Sequence, residues 1–196
     1  RRRHRLRAVA ASAPRPAPPM NREHATRARP SRDDESEIVR ATHLAAFAAE
    51  GGTEAASVAG LAVALLRDPS ARPCLSLLAE RAGRIVGSAL YTPVRIEGSA
   101  RAPAGGILCP LAVVPDARRS GVGAGLIEAG VRQLTEDGTA LLFVLGDPGY
   151  YGRHGFRPVG DPGPRPPHVV ALPDAWQVRE LEAGARAGAA GVVRCA

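Results

Sequence analysis

The chain has 196 residues with 26 arginines, 19 acids and no lysine, giving a net charge of +7. Six of those arginines, and none of the acids, fall in residues 1–19, so the other 20 arginines face 19 acids and the rest of the chain carries only +1. That distribution excludes a broadly basic surface: the arm alone can hold phosphate backbones without sequence preference, and it lacks the aromatic side chains of a stacking platform.

The segment RRRHRLRAVAASAPRPAPP is charged, but no apolar run of about 7–15 residues follows, as a signal peptide would require. Met20 is the only methionine. Residues 1–19 are therefore expected to be upstream sequence, and the segment 1–24, basic and proline-rich, is expected to be disordered. Nowhere does an apolar stretch approach the ~20 residues of a membrane span. The remaining length suits one domain with a sizeable core, assigned to residues 25–182, with a Gly/Ala-rich tail over 183–196.

Ala25–Arg29 reads as a first strand ended by Pro30. Ser31 to Asp34 offer N-caps for a helix over Glu35–Ala49, with Ile38, Ala41, Ala45 and Ala49 on its apolar stripe. Gly51-Gly52 breaks it. A second helix, Glu54–Arg67, carries Val58, Leu61, Leu65 and Leu66 and stops before Pro69. Leu75–Glu80 and Arg84–Pro93 form a hairpin around Ala82-Gly83. After a loop over Gly98–Gly106 come a buried strand Ile107–Val114, a helix Gly121–Glu136, a strand Leu141–Leu145, a short helix Pro148–His154 and a strand Phe156–Val159. Val169–Leu172 and Trp176–Leu181 supply a final edge, and nothing from Ala183 onward shows a pattern. This order is mixed α/β, with a parallel pair at its second β–α–β step. Cys74, Cys109 and Cys195 form no CxxC pair and no Cys/His cluster, so neither a disulfide framework nor a metal site is expected, and a reducing, cytoplasmic setting is.

Between the strand Ile107–Val114 and the following helix lies PDARRSGVGAG. Its glycines let a ligand approach the backbone, and free amides at a helix N-terminus attract anions. Arg118 and Arg119 add charge at the rim, and a pyrophosphate is the expected ligand. A dinucleotide fingerprint GxGxxG fails, because Leu126 and Glu128 stand where its third glycine belongs. A Walker A loop requires a lysine, and there is none.

The pattern Arg118-x-x-Gly121-x-Gly123-Ala124 resembles the R/Q-x-x-G-x-G/A signature of GNAT acetyltransferases. Tyr151-Gly-Arg-His-Gly155-Phe156 is similar to that family's Y-x-x-x-G-F segment, and the run from Leu145 to Pro158 resembles its YhbS-like branch of N-acetyltransferases. The likeness spans Ala25 to Leu181, with the first helices matching in pattern only. It implies the acyl-CoA N-acyltransferase fold, a largely antiparallel mixed sheet with one splayed parallel pair, and transfer of an acetyl group from acetyl-CoA to the amine of a small molecule or peptide. A monomer or homodimer would suffice.

By the same resemblance the pantetheine lies between the splayed strands against the backbone of Leu111, Ala112 and Val113. The pyrophosphate lies on amides of Arg119, Ser120, Gly121, Val122, Gly123 and Ala124, beside Arg118. Tyr151 takes the position of the acid that protonates the departing thiolate and also touches the cofactor. Pro110 points independently to a bulge, since proline cannot donate to a ladder. Asp147 before Pro148 reads first as a helix cap and second, with Tyr150, as a contact to the amine. His43 and His154 read as packing or surface residues. The strand Ile107–Val114 has no acid to act as base. Proton relay through water to Asp147 or to Glu35, and arrival of the amine already neutral, all stay open. The alternatives in other classes are a non-catalytic acyl-CoA-binding module and a nucleic-acid binder using the basic arm.

Overall fold

The computed structural model describes residues 25–99 and 102–195. The segment 1–24, with its expected disorder and any role in nucleic-acid binding, lies outside the described residues. The chain runs β1 (Arg27–Pro30), α1 (Ser36–Phe47), α2 (Gly52–Arg67), β2 (Leu75–Arg81), β3 (Arg84–Glu97), β4 (Gly105–Val113), α3 (Val122–Glu136), β5 (Leu141–Leu145) and α4 (Pro148–Tyr151). Short strands follow: β6 (Arg157–Pro158), β7 (Pro164–Arg165), β8 (Trp176–Glu180) and β9 (Gly191–Arg194). The main sheet has the order β1-β2-β3-β4-β5-β8-β6, with β9 on the far end of β3 and β7 on β9. Pairing is antiparallel except for β4 with β5 and the short β7 with β9.

Local chemistry accounts for most of these elements. At the β2–β3 turn, Ala82 and Gly83 both have positive φ, 49° and 73°, the combination whose twist matches that of a hairpin. In the middle of β3 side chains alternate, so Ala89 and Tyr91 face α3 while Leu90 faces α1 and α2; a register shift against β2 nearer its start puts Val86 on the α3 side as well. On the first face, Val122, Leu126, Ile127 and Val131 of α3 pack on Leu77, Leu108, Leu142 and Val144. On the other, Val39, Ala62 and Leu65 cover Leu78 and Leu90. A third cluster under the C-terminal half joins Phe143, Trp176, Val178 and Val193. Within it the Phe143 and Trp176 rings stack at 5.2 Å and 9°.

Four readings of the sequence need correction. The buried stripe of α1 is Val39, Thr42, His43 and Ala46, whereas Ile38, Ala41, Ala45 and Ala49 face solvent. So many alanines make either face look apolar, and the true one includes two polar residues. Residues 169–172 form no strand, and β8 is no edge, because it pairs with β5 on one side and β6 on the other. In the stretch taken for a tail, β9 pairs with Arg95–Glu97 of β3 and buries Val193 completely.

The β1–α1 connection is held by charge. Glu35 is 2 % exposed, and its carboxylate accepts from Arg29 Nη1 and Nη2 at 2.8 and 2.9 Å and from the Arg32 amide at 2.8 Å. The Arg29 fork is the main reason its pKa is held down at about 2. Glu35 is thus committed to the β1–α1 junction, and it lines none of the walls of the cleft described below.

Two outcomes follow for stability. In α3 a Cβ on Gly130 would lie 2.2 Å from Tyr91 Cζ, whereas on Gly60 of α2 it would meet nothing within 4 Å. Gly60→Ala should therefore stabilise by up to about 1 kcal/mol through helix propensity, while Gly130→Ala should destabilise by about 1–3 kcal/mol through overpacking. Urea midpoints of the two variants check this, and a more stable Gly130→Ala protein would contradict the packing. The second outcome concerns pH. Because the folded pKa of Glu35 is depressed, its stabilisation is complete above about 4.5 and drains away as pH falls toward about 2. Melting temperatures of the wild type and Glu35→Gln should lie furthest apart near neutrality and converge toward pH 2.

Candidate active site

The site begins with a defect in the sheet. β3 and β4 pair as Ala89↔Leu111 and Tyr91↔Leu108, so Cys109 and Pro110 together oppose Leu90. A proline has no amide to give a ladder, and this is the two-for-one geometry of a bulge. β4 and β5 stay paired only through Gly105↔Leu141, Gly106↔Leu142 and Ile107↔Phe143. Past Ile107 they separate, and β5 continues on β8 alone to Leu145↔Trp176.

The loop after β4 closes one end of the gap. Pro115–Ala117 makes a 3-10 turn, Arg119 takes φ +57°, and Gly121 takes φ +85° as the residue before α3. The first helical bond inside α3 runs from the Gly125 amide to the Gly121 carbonyl at 2.9 Å. The amides of Val122, Gly123 and Ala124 precede it and have no acceptor within the helix. A cleft of about 870 Å³ takes in this loop, Leu111, Ala112 and Val113 of β4, and Asp147, Tyr150 and Tyr151 beyond β5.

Two residues of the expected loop set behave differently. Ser120 lines the opposite side of the loop, where its hydroxyl donates to the Ala117 carbonyl at 2.6 Å and accepts from Arg81 Nη2 at 2.7 Å. Its side chain is turned away because left-handed Arg119 reverses the chain just before it. Arg118 lines the cleft but directs its guanidinium at backbone carbonyls, with Nε donating to Val113 O at 3.3 Å and Nη2 to Ala46 O. Its charge ties the loop to the end of α1 and does not stand free at the rim.

Across the gap, Asp147 caps α4: its Oδ1 accepts from the Gly149 amide at 2.9 Å, with Pro148 at the first helical position. The two tyrosines then diverge. Tyr150 reaches the loop, its hydroxyl standing 2.2 Å from where a Cβ on Gly123 would be. Tyr151 turns back onto Gly146, where a Cβ would lie 2.4 Å from its Cε2, and meets Phe156 edge-on at 5.7 Å. Burial pushes the Tyr151 phenol well above the ordinary tyrosine value and raises Tyr150 as well.

Further lining residues were not visible in the sequence. Ala46, Phe47 and Glu50 bring the end of α1 to the cleft, and Arg153 and His154 follow α4 into it. Arg153 stands 5.6 Å from the Tyr150 ring centre. With α1 matched in pattern only, no motif marked its end as part of a site. His43 is fully buried on α1, its Nδ1 2.9 Å from Val39 O; burial lowers its pKa and keeps it neutral. No helix among the described residues is long and apolar enough to cross a membrane.

Comparison with known proteins agrees with this geometry. Residues 27–159 match the acetyltransferase (GNAT) domain model. The chain is 41 % identical over 141 residues to the uncharacterized N-acetyltransferase YjhQ of Escherichia coli K12, covering 70 % of this chain and 77 % of that protein. Among solved structures, the GNAT family N-acetyltransferase YhbS of Escherichia coli in complex with CoA superimposes with a TM-score of 0.77 at 26 % identity, over 89 % of this chain and 91 % of that one. A GNAT family acetyltransferase from Brucella melitensis in complex with acetyl-CoA gives 0.60 at 30 % identity, over 68 % and 84 %. The bulged strand, the glycine loop at the start of α3 and the tyrosine on α4 thus occur together in a chain that belongs to the GNAT family of acetyltransferases.

Proposed function

We propose that the chain transfers an acetyl group from acetyl-CoA to a primary amine by direct attack, with Tyr151 as the acid. One observation carries the reading: the first amides of α3, which have no acceptor in the helix, and a half-buried tyrosine share a single cleft across parted parallel strands. Two neighbours of known structure hold CoA or acetyl-CoA, and the residues here suit the same ligand. Gly121 has the positive φ of a tight anion loop, Gly123 lines the cleft without a side chain, and Arg119 and Arg153 add positive charge. A cleft of about 870 Å³ also lies within the usual ~300–1,000 Å³ of a ligand pocket.

Acetyl-CoA supplies a thioester whose carbonyl carbon forms the new C–N bond as its C–S bond breaks. The backbone of Leu111 and Val113, with Ala112 between them, borders the gap that β5 leaves and offers hydrogen bonds to the pantetheine amides. Amides from Arg119 to Ala124 receive the pyrophosphate, and the helix dipole favours that charge. The bulge at Cys109 and Pro110 turns the following backbone N–H toward the carbonyl oxygen, where developing negative charge is best stabilised. Tyr151 gives its proton to the departing sulfur and regains one from the acylated nitrogen, so the products are an amide and a neutral thiol. A phenol raised by burial is a weak acid but remains protonated across the whole neutral range, as this role requires.

The loop assignment is tested by Gly123→Glu, which adds bulk and negative charge among the α3 amides. Calorimetry should show CoA affinity falling by at least about 100-fold in a protein of unchanged circular dichroism; an equal affinity would remove the assignment. Tyr151→Phe keeps the ring on Gly146 and Phe156 and deletes the proton. Its kcat should drop by about 10²–10⁴-fold with CoA affinity unchanged. In the wild type the alkaline limb should begin above the ordinary tyrosine value of about 10, because burial raises the phenol. Wild-type turnover by Tyr151→Phe with a competent amine would end the acid role.

A further inference from the structure

Behind the parted strands lies a second, smaller cavity of about 170 Å³, near the volume that holds one benzene ring in an apolar protein interior. Cys109 and Leu145 place it at the same parting of β4 and β5, since the cleft begins two residues further along each side, at Leu111 and Asp147. The walls come from Leu108, Leu145, Val170 and Trp176, with Pro166 and Pro167 across the top. No carboxylate and no guanidinium is among the lining side chains; His168, Cys109 and Cys195 are its polar or titratable members. The apolar character continues outward, since Leu145, Val169 and Leu172 are 54, 101 and 70 % exposed.

An occupant of this cavity with a nitrogen at Cys109 would face the cleft from the side opposite α3. An ammonium seated among these side chains would lose part of its water and meet no carboxylate in the cavity wall, Asp147 and Glu50 belonging to the neighbouring cleft, which disfavours the charged form. The neutral amine suffers no such loss. Resting on the acetyl-transfer reading above, we propose that this cavity takes the hydrocarbon group of the acceptor, a compact apolar amine of ring size delivered in its uncharged form. This resolves the missing base, because the acceptor sheds its proton to solvent before entry. Polyamines and amino acids, which keep further charges at any working pH, are excluded by the same walls.

The test combines protection with turnover. With no acyl donor present, aniline should slow alkylation of Cys195 and Cys109 by N-ethylmaleimide at least about tenfold, followed by peptide mass spectrometry. Cys74, which lines a separate cavity, should react unchanged. With acetyl-CoA, kcat/KM for benzylamine should rise about tenfold per pH unit below the amine's own pKa, and spermidine and glycine should be poor acceptors. Val170→Asp, outside the cleft, should abolish the protection and cut kcat/KM for aniline by at least about tenfold, since a pocket group of the wrong character costs that much. Equal alkylation with and without aniline, or spermidine outperforming both ring amines, overturns the proposal. So does protection by butyryl-CoA without protection by aniline, which would give the cavity to the acyl chain. Protection by aniline with no thiol release from any amine would keep the cavity assignment and sink the transfer reading instead.

Discussion

Everything at the candidate site depends on two strands ceasing to pair. β4 and β5 run together through Ile107 and Phe143, and then the Cys109-Pro110 bulge carries β4 away. A gap in a sheet normally closes, because bare amides and carbonyls seek partners. Here β5 is held from its other side by β8 along its full length, and the Phe143–Trp176 stack fixes that pair from the sheet's face. α3 anchors the opposite side through Leu126 and Ile127, which share a core with residues of β2, β3 and β4. The opening is therefore a permanent feature with rigid edges, and the glycine loop and the tyrosines are carried to it by elements that have no freedom to follow one another.

Legibility in the sequence tracks the uniqueness of each residue's reason for being there. Gly121 and Gly123 have specific geometric grounds, one a positive φ and the other a close neighbour, and so the loop stood out. Pro110 declared the bulge because a proline inside an apolar strand has few other uses. The register of α1 was hidden by alanines that fit either face and by burial of Thr42 and His43, which a hydrophobic pattern scores as surface. β9 was invisible for a different reason: its partner is the overhang of β3 beyond β4, a tertiary circumstance that Gly/Ala-rich sequence does not encode. Ser120 shows the limit of a motif, which names neighbouring residues but not the turn that sends one of them to the far side.

Tyr150 and Tyr151 illustrate how adjacency in sequence separates roles in space. Successive residues of a helix point about 100° apart, and here that difference sends the Tyr150 hydroxyl to the glycine loop and the Tyr151 ring onto Gly146. Each is accommodated by a glycine on the opposing element, Gly123 for Tyr150 and Gly146 for Tyr151. The pattern Gly-Asp-Pro-Gly-Tyr-Tyr thus reads as a bend, a cap and two directed rings.

Arg118 links the two sides of the sheet at one point. Its guanidinium spans the carbonyl at the end of β4 and that of Ala46 near the end of α1, while Ala46, Phe47 and Glu50 form part of the cleft wall. The loop and the last turn of α1 are consequently one mechanical unit: they share a strut and cannot be displaced separately without breaking it. The spacing between the loop and the α1 wall of the cleft is thereby fixed by one side chain, which joins a rigid edge of the gap to a helix on the sheet's other face.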